Sequence, residues 1–274
     1  MSDTLEFVIL GSGSSGGVPR LGGVDGSGYW GACDPKNPKN RRLRCSALVR
    51  RKSAEGVTTI LVDTSPDMRE QLLAARVTNL DGVLITHEHA DQLHGFDDLR
   101  VLFLNHKRRV EVYSDGAGLA GLMAKFGYGF VTPYGKDYPP IANAHEIEEP
   151  FRQFEISGAG GSVPVQAFRQ EHGRTPSLGF RFGPFAYSSD VVGLDDAAFE
   201  VLKGVDTWVV DALRYTPHPT HAHVAMTLEW IARVKPRHAV LTNLHVDLDY
   251  ETLRRELPNG VEPAYDGMVL KAVV

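Results

Sequence analysis

The short apolar run Gly82-Val83-Leu84-Ile85 stops abruptly at Thr86-His87-Glu88-His89-Ala90-Asp91-Gln92-Leu93-His94-Gly95. A strand that is apolar at every position is buried on both faces, as inner strands of a helix-covered sheet are. This one delivers a polar cluster at its C-terminal tip, where ligands sit in open α/β sheets. Two imidazoles and a carboxylate at alternate positions make a metal cradle. Nitrogen and oxygen donors suit zinc, manganese or iron, and three of them within five residues converge at little cost in chain entropy.

The rest of the chain continues the layered pattern. Strands are expected at 7–10, 46–50, 59–63, 110–113, 163–168, 178–182, 185–188, 207–210 and 239–242. Helices are expected at 67–75, 118–126, 195–202, 224–234 and 250–256. Ala54-Glu55-Gly56 reads as a hairpin turn. Val224, Leu228 and Ile231 recur at helical spacing, so one face of that helix meets a core. The first strand runs into Gly11-Ser12-Gly13-Ser14-Ser15-Gly16-Gly17, a loop whose backbone can approach a ligand closely, with Ser14 as a candidate substrate contact. Neither repeat nor linker interrupts the sequence, and residues 1–274 read as a single domain of two sheets flanked by helices.

Composition narrows the function classes. A hydrophobic share of 42% is enough for a buried core, and a net charge of -5 argues against a protein permanently coated by nucleic acid or anionic membrane. The basic runs Arg41-Arg42-Leu43-Arg44 and Lys107-Arg108-Arg109 read as solvated surface. No apolar run is long enough to span a bilayer, and the N-terminus lacks the pattern of a secretory leader. Cys33 and Cys45 are too few for a disulfide framework or a four-cysteine zinc site. A cytoplasmic location is expected, with small or transient partners.

Two more candidate ligands stand at strand ends: His172 in Gln170-Glu171-His172-Gly173, and Asp190 closing Tyr187-Ser188-Ser189-Asp190. The order His-x-His-x-Asp, then His, then Asp gives these otherwise ordinary loop residues their meaning.

With these residues the chain resembles the metallo-β-lactamase superfamily. Within it the chain is similar to the branch of the cyclic phosphate phosphodiesterase of phosphonate breakdown and, more distantly, to ribonuclease Z. The resemblance extends over Leu10 to Pro19, Val62 to Arg69, the histidine cluster, Tyr187 to Asp190 and Leu241 to His245. It implies an α/β fold, the αββα sandwich of two mixed sheets flanked by helices, with one or two divalent ions, manganese or zinc. His87, His89 and His172 would take the first metal, Asp190 would bridge, and Asp91 would serve the second metal and the chemistry. Asp63, a carboxylate at a strand end, would orient a ligand histidine.

Two departures bear on the second metal. Gln92 replaces the histidine that the family has after the aspartate, offering only a neutral carbonyl oxygen. The usual Leu-Thr-His becomes Leu241-Thr242-Asn243, so His245 is taken as the last ligand, with Asn243 the alternative. A second metal held more weakly and a single-metal enzyme are both open readings. His94 reads as a surface residue or as support for a ligand. The cysteine-rich structural zinc site of the phosphonate-pathway relatives is not expected here.

The resemblance implies hydrolysis of a small cyclic or nucleotide-like phosphodiester by a metal-activated water, whose pKa falls from about 16 toward 7. In His218-Pro-Thr-His221-Ala-His223, His221 matches the histidine that serves the leaving group, and His223 would be a second substrate contact at a helix N-terminus. The competing readings are a thioester- or lactam-type hydrolase on the same fold, transfer-RNA 3′-end processing, and a binding or cofactor-biosynthesis protein with a weakened metal site. A phosphorylated small molecule is the expected partner, with no stable nucleic-acid complex, no membrane association and, by analogy with relatives, a homodimer.

Overall fold

The structure is a computed structural model that describes residues 3–274. In chain order its elements are β1 (Thr4–Gly11), β2 (Ser46–Lys52), β3 (Val57–Val62), α1 (Met68–Ala74), β4 (Gly82–Leu84), α2 (Ala90–Leu93), α3 (Leu99–His106), β5 (Val110–Ser114), α4 (Gly116–Phe126), β6 (Ala142–Glu146), β7 (Phe154–Gly158), β8 (Gly161–Gln170), β9 (Ser177–Phe182), β10 (Phe185–Ser188), α5 (Asp196–Leu202), β11 (Thr207–Asp211), α6 (Val224–Val234), β12 (His238–Thr242), α7 (Tyr250–Glu256), β13 (Val261–Pro263) and β14 (Val269–Val273). Two seven-stranded mixed sheets result, ordered β14-β1-β2-β3-β4-β5-β6 and β13-β12-β11-β10-β9-β8-β7. Mixed sheets with flanking helices are the fold class that the resemblance implied.

The chain divides into two compact units built from interleaved segments, a division that no linker announces in the sequence. The first comprises residues up to Val8, 46–167 and 269–274; the second comprises 9–45 and 168–268.

In the first unit β4 lies between β3 and β5 and is parallel to both. Its three residues are buried, as an inner parallel strand requires. The β2–β3 hairpin pairs Arg50 with Thr59 and Lys52 with Val57, and Ser53 N–H closes the turn onto the Gly56 carbonyl. Both strands therefore run further toward the turn than the sequence suggested. Helix α4 is capped by Asp115, whose side chain accepts from Gly118 N–H at 2.8 Å.

In the second unit β10, β11 and β12 are parallel neighbours. Trp208, Val210, Leu241, Leu244 and Leu253 form a buried core, against which Leu228 and Ile231 of α6 pack beside buried Val224. Trp208 is fully buried, and its Nε1–H donates to Ser188 Oγ at 3.0 Å, which satisfies the indole's polar atom inside that core. Asp195 and Asp249 cap α5 and α7 through the N–H groups of Ala198 and Thr252. Cys33 and Cys45 are both buried thiols.

Arg42 corrects the reading of its basic run as solvated surface. It is 1% exposed, and its guanidinium donates to the carbonyls of His245 and Leu248 and to Asn40 Oδ1. Burial lowers its pKa, but a guanidinium stays charged all the same. It ties 40–42 to the loop after β12, a role that a run of arginines does not advertise. Among the described residues no helix is long and apolar enough to cross a membrane.

Candidate metal centre

In the first unit β3 and β4, parallel neighbours, end side by side. Asp63, directly after β3, takes the left-handed φ of 65° that aspartate tolerates better than most residues. Its buried carboxylate accepts Thr86 N–H at 2.8 Å and Thr86 Oγ1–H at 2.9 Å. With that hydroxyl proton committed to Asp63, Thr86 Oγ1 accepts from His87 Nδ1–H at 3.0 Å. The relay fixes the tautomer of buried His87 and leaves the lone pair on Nε2. Asp63 reaches the His87 ring through Thr86, a residue the sequence pattern did not single out.

His87 Nε2 lies 3.0 Å from His89 Nδ1. Zinc–nitrogen bonds of about 2.0–2.1 Å at a tetrahedral angle separate two ligand nitrogens by roughly 3.3 Å, so this pair fits a shared divalent ion. Asp91 opens α2, and Gln92 Nε2–H donates to its Oδ2 at 3.3 Å. The amide that replaces the family's imidazole therefore steadies the neighbouring carboxylate. His94 is exposed, with its ring 5.9 Å from that of Phe126.

In the second unit the loop after β8 holds His172, whose Nδ1–H donates to the Thr220 carbonyl at 2.6 Å and so leaves the lone pair on Nε2. Gly173 follows at φ +66°, where a Cβ would lie 2.6 Å from Thr220 Cγ2, so the loop needs glycine. Asp190 also has a left-handed backbone, at φ 51°, and its carbonyl accepts from Ser177 Oγ–H at 2.8 Å. Its Oδ1 lies 4.0 Å from His172 Nε2 and 3.9 Å from His221 Nδ1. His172, Asp190 and His221 each present one ligand atom, and these atoms all lie within 4.8 Å of one another.

His221 has a partner that no sequence signal was used to find. Its Nδ1–H donates to Asp211 Oδ2 at 2.9 Å, and the same oxygen accepts Val191 N–H at 3.1 Å. Asp211 is fully buried, which pushes its carboxyl pKa up while the His221 interaction opposes the shift. It ends the apolar strand β11, so the strand-end rule that found Asp63 would have found it too.

Asn243, left-handed at φ 62°, brings its Nδ2 to 3.1 Å from His221 Nδ1 and also hydrogen-bonds Asp211. The candidate last ligand His245 is not in this cluster. Its Nδ1 lies 3.0 Å from Asp247 Oδ2, and the place expected for it beside His172 and Asp190 is taken by His221. His223 immediately precedes α6, and its Nδ1 is enclosed without a hydrogen-bond partner. The Ser14 hydroxyl is likewise buried without a partner.

Strand-end carboxylates, paired imidazole nitrogens and an outer bond on each key ring define a class, the divalent-metal proteins of the metallo-β-lactamase fold. The family described as the beta-lactamase superfamily domain matches residues 58–243, and the chain belongs to that superfamily, in its PhnP-like branch. The chain is 32% identical to a solved diphosphatase from the PhnP family, covering 98% of its own length and 97% of the other, with a TM-score of 0.84. Zinc-bound PqqB from Methylobacterium extorquens shares the fold at 18% identity, with a TM-score of 0.71 and coverage of 97% and 99%. An octanoyltransferase of Porphyromonas gingivalis is 31% identical over 268 residues, 96% of this chain and 51% of that protein. The chain spans about half the length of the curated relatives it matches.

Proposed function

We propose that this chain is a metal-dependent hydrolase of a small phosphodiester, cyclic or nucleotide-like. The observation that carries the reading is the His87–His89 pair, two imidazole nitrogens 3.0 Å apart with the His87 ring oriented through Thr86 by a buried carboxylate. The candidate ligands are His87, His89 and Asp91 in the first unit and His172 and Asp190 in the second, supported by their order along the chain and by the 32% identity to a PhnP-family diphosphatase. A bound divalent ion would lower the pKa of water toward neutrality and stabilise charge developing on phosphoryl oxygens.

The chain's own part is to hold and orient. Asp63 and Thr86 keep the His87 lone pair on Nε2, and the Thr220 carbonyl does the same for His172. Gln92 steadies Asp91. Ser14 and His223 each keep a buried polar atom without a protein partner, and they are the candidate contacts for the substrate's phosphate oxygens.

Hydrolysis of an acyl thioester is the second reading, favoured by the likeness to an octanoyltransferase over 96% of this chain. One panel separates the two. Bis-(p-nitrophenyl) phosphate, a 2′,3′-cyclic nucleotide, an octanoyl thioester and a β-lactam are assayed with manganese and with zinc. Turnover of the phosphodiesters is expected, falling by about 10³-fold or more in His87→Ala together with metal content. Turnover of the thioester alone would replace the proposal with the second reading.

A further inference from the structure

Asn243, in the second unit, stands where the family pattern has an imidazole, which leaves a metal held there one nitrogen donor short. The second unit supplies one from elsewhere. We infer that His221 is itself a metal ligand in this chain, replacing the imidazole lost at Asn243 and acting with Asp190 and His172. The inference rests on the metal-dependent reading above and extends it.

Three observations converge. The ligand atoms of His172, Asp190 and His221 all lie within 4.8 Å of one another, close enough for one ion to draw them together. His221 also carries the usual mark of a ligand histidine, its Nδ1–H given to a buried carboxylate, Asp211 Oδ2, at 2.9 Å. That bond sets the tautomer and puts the lone pair on Nε2. Finally, Asn243 hydrogen-bonds Asp211, so the residue at the place of the missing imidazole steadies the carboxylate that holds the His221 ring. His245 is held by Asp247 instead.

The assignment changes the chemistry expected of His221. A nitrogen bound to a cation has no proton to donate, so His221 does not protonate the leaving group. Asp211 becomes a positioning residue, acting on the metal only through the ring it holds.

Metal content and isothermal titration with Mn²⁺, run on the full chain after chelation and dialysis, provide a readout other than activity. The unsubstituted protein is expected to bind two equivalents, the second more weakly. His221→Ala should lose the second equivalent, Asp211→Asn should weaken it about 10–100-fold, and Asn243→His in the His221→Ala background should restore it. His221→Asn, which keeps a small polar side chain, guards against a folding failure, checked by circular dichroism. Two unchanged equivalents in folded His221→Ala or His221→Asn, or a single equivalent in the unsubstituted protein that neither variant alters, would overturn the assignment and leave the metal-dependent reading intact. No bound metal in the unsubstituted protein would defeat both.

Discussion

Three histidine rings each have one nitrogen held, by three different acceptors. His87 uses the Thr86 hydroxyl, His172 the Thr220 carbonyl and His221 the Asp211 carboxylate. Each bond excludes one tautomer, so the lone pair is aimed before any metal arrives. Asp266 shows the electrostatic cost of such buried acceptors. It takes Ser12 N–H at 2.9 Å, Ser12 Oγ–H at 2.8 Å and Leu43 N–H at 2.7 Å, yet burial outweighs these bonds and raises its pKa to about 6. The folded-state pKa lies above the unfolded one, so the folded protein holds this proton more tightly. The resulting stabilisation is fully present below about pH 4 and is lost as pH rises through about 6. A shift of this size corresponds to roughly 2 kcal/mol once partial solvent screening is allowed for. Urea unfolding of metal-free protein at pH 4.5 and pH 7 should show that loss in the unsubstituted chain and a smaller one in Asp266→Asn. Equal pH dependence in both would remove Asp266 as the source.

At the scale of elements, the candidate ligands depend on how strand ends and short helices dock. Three strand-end residues, Asp63, Asp190 and Asn243, adopt left-handed backbone with φ between 51° and 65°. Asp and Asn are the non-glycine residues that accept this conformation most readily, and it turns the chain sharply enough to expose a side chain at the strand tip. Helix α2 is too short to be stable alone and is fastened from outside. Thr64 Oγ1–H donates to the Leu93 carbonyl, and Gly95 N–H donates to the Thr64 carbonyl at 2.9 Å. A Cβ on Gly95 would lie 2.0 Å from the Ser65 carbonyl oxygen and 3.0 Å from Met68 Cβ. The first is a backbone atom that cannot rotate away. Gly95→Ala should therefore cost about 2–4 kcal/mol of stability and weaken metal binding through Asp91. Denaturant midpoints and metal titration check both effects, and an unchanged midpoint would mean that the α2 docking is looser than its packing implies. The elements absent from the sequence reading, α2, α3, β6, β7, β13 and β14, have physical reasons to be hard to see. Helix α3 buries only Leu99 and exposes Val101 and Leu104, while β6 has three exposed residues in five. Such elements carry little apolar periodicity, and neighbours impose their conformation.

For the whole molecule, any ion that binds the folded chain and not the unfolded one adds to its stability. At a free metal concentration near 100 times Kd the gain is about 2.7 kcal/mol, or roughly 5 °C in Tm for a chain of this size. Thermal melts with manganese, with zinc and with chelator should show that rise and its reversal; melts indifferent to all three would argue against a metal bound with useful affinity. How much was legible beforehand follows from the range over which each feature is determined. The candidate donors His87, His89, Asp91, His172 and Asp190, and the strands leading to them, stand out in the sequence because an apolar run and the polar residue that ends it are adjacent in the chain. The division into two units, the burial of Arg42 and the choice of His221 over His245 as companion of His172 and Asp190 were decided only by tertiary structure. Each depends on where a distant loop comes to rest and on which buried acceptor waits there, Asp211 for one ring and Asp247 for the other. Local pattern sets what a segment becomes and what its tip can offer; which offers meet is a matter of long-range packing and of the requirement that every buried polar atom find a partner.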